Sequence, residues 1–195
     1  MSLFEGYRNA ILGSLEKFDV PYKLFGGAVV QLIHPERQTE DLDIFIKKNK
    51  EILNRLLLAL DDCGFDTLDS LNEQFFGEGI SDGKIEDLEY PTYRIYSARE
   101  EWSEFHIDLS FGINDFNYEN TPEEVIDHDG IKIHTVSYLG VAKMKASIKN
   151  IGTGEFQPRE KDIEDMDIIA RHLNIDPATG EPIVAKEKKK RWWQV

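Results

Sequence analysis

A single cysteine, Cys63, in 195 residues rules out an intrachain disulfide and fits a reducing compartment. Runs of apolar residues are short as well, and none approaches the ~20 needed to span a bilayer. The first residues, MSLFEGYRNAILGSLEKF, carry Glu5 and Arg8 early. They lack the basic start, apolar stretch and cleavage site of a signal peptide. A cytoplasmic protein with no membrane association is the expectation. Positive charge is in the minority too: 23 Lys and Arg face 37 Asp and Glu, a net charge of −14. A body this acidic repels phosphate backbones, which disfavours broad, sequence-independent nucleic-acid binding. The local exception is Lys186 to Arg191, followed by Trp192 and Trp193. That segment reads either as a solvated tail or as a grip for a nucleic acid or an acidic partner. Repeats and low-complexity tracts are missing.

What is present is an ordinary globular balance, 41% apolar and 31% charged, enough for one domain with a small appendage. Phe4, Tyr7, Ile11, Leu12, Leu15 and Phe18 make a helical stripe, and Ser2 with Glu5 forms a capping box. Tyr22 to Phe25 reads as a strand running into Gly26-Gly27, and AVVQLIH as a helix broken before Pro35. DLDIFI is a strand, and Ile52 to Leu60 a helix ending near Gly64. Asp66 to Pro91 reads as loops with room for a strand. Tyr93 to Tyr96, Phe105 to Leu109 and Ile131 to Thr135 read as further strands. Asn114 to Glu124 reads as a loop, with Thr121 a candidate N-cap before Pro122. Asp127-His128-Asp129 reads as a turn before Gly130. Ser137 to Ile148 is a helix broken by Gly152 to Gly154, and Arg159 to Leu173 is the last one. This order, mixed but not strictly alternating, implies an α/β or α+β fold: a small mixed sheet flanked by helices, with a helical C-terminal part.

The chemistry concentrates in LFGGAVVQLIHPERQTEDLDIFI. Alternation along the strand points Asp41 and Asp43 one way, and Leu42, Ile44 and Ile46 the other. Two carboxylates held this close repel unless one is protonated or a cation bridges them. Oxygen ligands of this kind suit Mg2+ or Mn2+. Taken alone, acid–apolar–acid also describes solvated surface acids. Gly26-Gly27 adds a turn at which backbone N–H groups can approach a phosphate closely, beside a helix start that favours negative charge. FHIDLSF adds Asp108, sharing a strand face with His106. That histidine reads either as a neighbour of the metal or, more ordinarily, as a satisfied structural residue. The five histidines show no zinc-site spacing. Cys63, near a helix end, reads as packed, and the aromatic stretch Phe111 to Tyr118 as packing or as the wall of an acceptor pocket.

These residues resemble the nucleotidyltransferase superfamily, the polymerase-beta-like fold. The resemblance rests on Gly26-Gly27, thirteen intervening residues, Asp41-Leu42-Asp43, and Asp108 on a later strand. The spelling is similar to AbiEii-like and minimal nucleotidyltransferases of bacterial defence and toxin–antitoxin systems. Those show a GG turn and an Arg-x-Thr-x-Asp-x-Asp string, matched by Arg37, Thr39, Asp41 and Asp43. A helix carrying Lys143, with Lys145 as its rival, precedes a Lys-Asp-x-x-Asp helix of Lys161, Asp162 and Asp165. The resemblance implies a nucleotidyltransferase-like core over residues 1–136, a helical part packed on it over 137–175, and a tail over 176–195. It implies metal-assisted transfer of an NMP from an NTP to a hydroxyl on a protein, a tRNA end or a small molecule such as an antibiotic. Asp41, Asp43 and Asp108 would be the catalytic and metal-binding set, with Mg2+ or Mn2+. Gly26, Gly27, Arg37, Thr39 and Lys143 would meet the nucleotide, Arg37 and Thr39 either touching phosphate or ordering their loop. A protein partner, as in toxin–antitoxin or phage-defence systems, is a further implication. Many active members have Gly-Ser where this chain has Gly26-Gly27. The alternative is therefore an inactive nucleotide- or partner-binding module with the same fold.

Overall fold

The capping box at the N-terminus forms as the sequence predicts. The Ser2 hydroxyl accepts from the Glu5 backbone N–H, the Glu5 carboxylate accepts from the Ser2 N–H, and helix α1 runs over Leu3–Lys17. Its stripe of Phe4, Tyr7, Ile11, Leu12 and Leu15 is buried. The computed structural model describes residues 2–65, 92–113, 115–128, 130–147 and 159–176. The expectations for Asp66 to Pro91, for the break at Gly152 to Gly154 and for the tail lie outside these residues.

Strand β1 (Tyr22–Leu24) leads into α2 (Gly26–Ile33), which opens at the glycine pair itself rather than at Ala28. Then come β2 (Asp41–Ile46) and α3 (Lys50–Asp62), the latter capped by the Asn49 side chain on the N–H groups of Glu51 and Ile52. Strand β3 (Thr92–Tyr96), a short 3-10 turn (Glu100–Trp102) and β4 (His106–Ser110) follow. The chain continues through β5 (Glu123–His128), β6 (Ile131–Val136), α4 (Tyr138–Ala146) and α5 (Glu160–Leu173). The six strands form one mixed sheet in the order β3-β4-β2-β1-β6-β5. Strands β2 and β4 run parallel, as do β1 and β6, and the remaining pairs are antiparallel.

Residues 115–122 run as loop and turns as expected, but Thr121 caps no helix and the loop ends early: Glu123 and Glu124 open strand β5, which pairs along its length with β6. Four of its six residues are exposed, Glu123, Glu124, Val125 and Asp127, so no apolar alternation betrays it. Its charges suit a sheet edge, where they discourage pairing with a foreign strand. Asp127 and His128 close the strand, and the turn is tightened by Gly130, whose N–H donates to Asp127 Oδ1 at 3.0 Å with φ +81°. Thr121 instead donates its hydroxyl to the Asn117 carbonyl. The buried Lys23 ammonium donates to the carbonyls of Tyr118 and Thr121, at 2.6 and 2.8 Å, and so ties this loop to β1.

The helices pack as two groups. Helix α1 lies on α3, where the Ser14 hydroxyl donates to the Ala59 carbonyl at 2.8 Å. Cys63, at the C-terminal end of α3, is buried there as expected. Helices α2, α4 and α5 pack on one another, and α2 also lies against β2. This second group walls the cleft into which the β2 and β4 carboxylates open.

Candidate active site

Parallel pairing of β2 with β4 assembles the acidic residues. The register sets Asp41 opposite His106 and Asp43 opposite Asp108, and neighbouring strands lie ~4.8 Å apart. Leu42, Ile44, Ile107 and Leu109, pointing the other way, are buried and anchor the two strands. Ligand atoms of Asp41, His106 and Asp108 all lie within 4.8 Å of one another. The carboxylates open into a cleft of about 1030 Å³, with Gly26 and Gly27 on one wall and Lys145, Arg159 and Lys161 on another.

Asp43 sits deepest. Desolvation pushes its carboxyl up to about 8, and the charges of Asp41 and Asp108 add to the shift, while Lys145 and Lys161 oppose it. A site that raises a carboxyl this far through burial and like charge is one a cation would relieve. Together with the convergent oxygen donors, that makes the residues present a fit for a divalent ion.

The glycine pair has two distinct steric reasons. Gly26 has φ +68°, and a Cβ there would land on the Asp43 carboxylate. Asp43 therefore approaches the backbone only because position 26 is glycine. The Phe25 N–H donates to the Asp43 carbonyl at 3.0 Å, and Phe25 stacks on Phe45 with centroids 4.1 Å apart, which locks the turn to β2. No side chain caps the start of α2, so its first N–H groups face the cleft uncapped. At Gly27 a Cβ would meet Thr39 Oγ1 at 3.0 Å and Arg37 Nη2 at 3.3 Å. The space that a serine would need is thus filled from the facing loop.

Arg37 and Thr39 are both engaged within the protein. The Arg37 guanidinium forks onto Asp165 of α5, Nε to Oδ1 at 2.7 Å and Nη2 to Oδ2 at 3.2 Å. The Thr39 hydroxyl donates to the Asp41 carboxylate. These contacts favour the loop-ordering reading over direct phosphate contact. Lys143 is exposed and away from the cleft, whereas Lys145 is buried and lines it. Lys145 Nζ lies 3.1 Å from Asp162 and 2.8 Å from Asp165. Burial works against the Asp162 charge, but hydrogen bonds from Arg159 and Lys145 outweigh it and hold this carboxyl below the ordinary range. Helical spacing carries the signal that separates the two lysines: Tyr138, Val141 and Lys145 share the buried face of α4, and Lys143 does not.

Arg94 is a site residue that sequence reasoning missed. Its guanidinium forks onto Asp108, Nε to Oδ1 at 2.8 Å and Nη2 to Oδ2 at 2.7 Å. Only the antiparallel register of β3 with β4, which pairs Arg94 with Asp108, brings the two together. His106 is not the satisfied histidine of the ordinary reading. Its Nε2 is buried without a hydrogen-bond partner among the described residues. Of the aromatic stretch, Phe116 lines the cleft, while Phe111 and Tyr118 pack on the core.

This architecture is similar to that in the crystal structure of an antigenic nucleotidyltransferase-like protein from Paracoccidioides brasiliensis. The TM-score is 0.52 at 16% identity, over 85% of this chain and 74% of that one. Among the curated proteins, no sequence matches the chain. The family described as "Nucleotidyl transferase AbiEii toxin, Type IV TA system" matches residues 14–191. The chain therefore belongs to the AbiEii family and is a nucleotidyltransferase.

Proposed function

We propose that the protein moves a nucleoside monophosphate from an NTP to a hydroxyl acceptor, with a divalent cation held by Asp41, Asp43 and Asp108. The observation that supports this reading is one cleft lined by Asp41, Asp43 and Asp108 beside the uncapped start of α2. A bound ion would withdraw charge from the phosphate oxygens and lower the barrier to attack. The acceptor oxygen bonds to the α-phosphorus, the bond from that phosphorus to the bridging oxygen breaks, and pyrophosphate leaves. The acceptor's proton passes to the Asp108 carboxylate, which Arg94 holds in place. Uncapped N–H groups at Gly26 and Gly27 receive phosphate oxygens, and Lys161, exposed on the facing wall, meets the departing charge. Thr39 orients Asp41, and Arg37, through Asp165, fixes the loop that carries Thr39.

The acceptor is a protein side chain, a tRNA end or a small molecule, and a cognate antitoxin is the proposed partner. Each labelled NTP is incubated with a cell extract, then with its RNA and protein fractions, using wild type, Asp41→Asn and Asp43→Asn. Label should transfer to one fraction only with wild type. Equal transfer by both variants would end this reading.

A further inference from the structure

We propose that His106, through Nε2, is a ligand in a mixed imidazole–carboxylate site with Asp41 and Asp108. Such a site selects a first-row transition cation such as Mn2+ over Mg2+. The proposal builds on the nucleotidyl-transfer reading and adds to it the identity of the ion.

Three independent observations support it. The first is the buried Nε2, which makes no hydrogen bond among the described residues: the Asp108 Oδ1 atom stands 3.9 Å away, too far for one but placed to share a cation with it. The second is convergence, since one donor from each of Asp41, His106 and Asp108 falls within 4.8 Å of the others. Donors on opposite sides of one ion at bond lengths near 2.1 Å are roughly 4 Å apart, so small side-chain rotations close the set. The third is placement. His106 and Asp108 lie two residues apart on β4, on one face, with Asp41 directly across the parallel pair. The Tyr96 ring packs against the imidazole, centroids 5.6 Å apart, and limits its rotation.

The donor set then decides the ion. Mg2+ takes oxygen ligands and keeps its water, gaining little from an imidazole, whereas Mn2+ and its heavier neighbours accept nitrogen readily. Arg94 does not block the site. A carboxylate has about four lone-pair positions, so Asp108 can receive the arginine fork and still offer one to an ion.

The test needs no substrate. Mn2+ is titrated into metal-free protein and free ion is followed by electron paramagnetic resonance, with Mg2+ added as competitor. His106→Ala should weaken Mn2+ binding about tenfold or more, as expected for a lost ligand, and change Mg2+ binding less than about twofold. Pulsed resonance on the wild-type Mn2+ complex should show coupling to an imidazole nitrogen, a readout that does not depend on the variant folding. Absence of that coupling, or unchanged Mn2+ affinity in a folded His106→Ala, overturns the assignment. Asp41→Asn separates the two claims. If it abolishes Mn2+ binding while His106→Ala does not, only the histidine falls; if neither matters, the metal-assisted reading falls as well.

Discussion

Replacing Asp43 by Asn should make the metal-free protein more stable while weakening its response to metal. In the folded chain the Asp43 carboxyl is pushed up to about 8, first by desolvation and then by Asp41 and Asp108. In the unfolded chain it titrates near 4. Between those values the folded state binds more protons than the unfolded state, so stability falls as pH rises from about 4 to about 8. The full displacement corresponds to on the order of 5 kcal/mol. Because the carboxylate opens into the cleft, less than half of that, about 2 kcal/mol, is expected to survive. Asn has nearly the same shape and no charge, so Asp43→Asn escapes this cost. Urea unfolding in EDTA should show no advantage for the variant at pH 4 and a growing one to pH 8, where melting rises by about 4–8 °C. Millimolar Mn2+ should narrow or reverse the gap, because wild type, with one more carboxylate facing the ion, gains more binding energy. An advantage independent of pH, or a variant less stable than wild type at pH 8 without metal, would refute the reasoning.

Four substitutions elsewhere have outcomes set by the geometry. Gly27→Ser should cost about 1–2 kcal/mol, because its Cβ would crowd Thr39 Oγ1 at 3.0 Å. Thr39→Ala in the same chain should recover most of that loss by thermal melting, and simple additivity would contradict the crowding. Lys143→Ala should change stability by less than about 0.5 kcal/mol. Lys145→Ala should cost roughly 2–3 kcal/mol in urea unfolding, below the usual loss for a broken buried pair because Arg37 and Arg159 still hold Asp165 and Asp162. Arg94→Gln should tighten Mn2+ binding about three- to fivefold at low salt, since it removes a positive charge from Asp108. Calorimetric titration showing weaker binding would mean that the fork orients Asp108 more than it competes with the ion.

Local patterns made much of this structure legible. The capping box at Ser2 and the alternation in Asp41 to Ile46 each report on a few neighbouring residues and formed as their patterns predict, while the glycine pair differs in opening helix α2 itself. Strand β5 was hidden because an edge strand with four exposed residues has no buried face to leave a period. The partners in the site were hidden for another reason. Arg94 reaches Asp108, and Arg37 reaches Asp165, only through strand register and helix docking, which couple positions 14 and 128 residues apart. Chemistry-bearing residues could be named from spacing, but what they touch depends on tertiary pairing. That is why spacing puts His106 on the right face but is silent on its Nε2, buried without a hydrogen bond among the described residues.

The fork from Arg37 to Asp165 also sets a timetable. Chains are made from the N-terminus, so the loop carrying Thr39 and the strand of Asp41 and Asp43 emerge long before the helix that clamps them. Until that helix has been made and docked, Arg37 lacks its counter-charge and the loop lacks its fixed course. Assembly of the candidate site is thereby deferred until that helix has emerged. The order of the chain thus separates in time the making of the acidic strand from the fixing of the loop beside it.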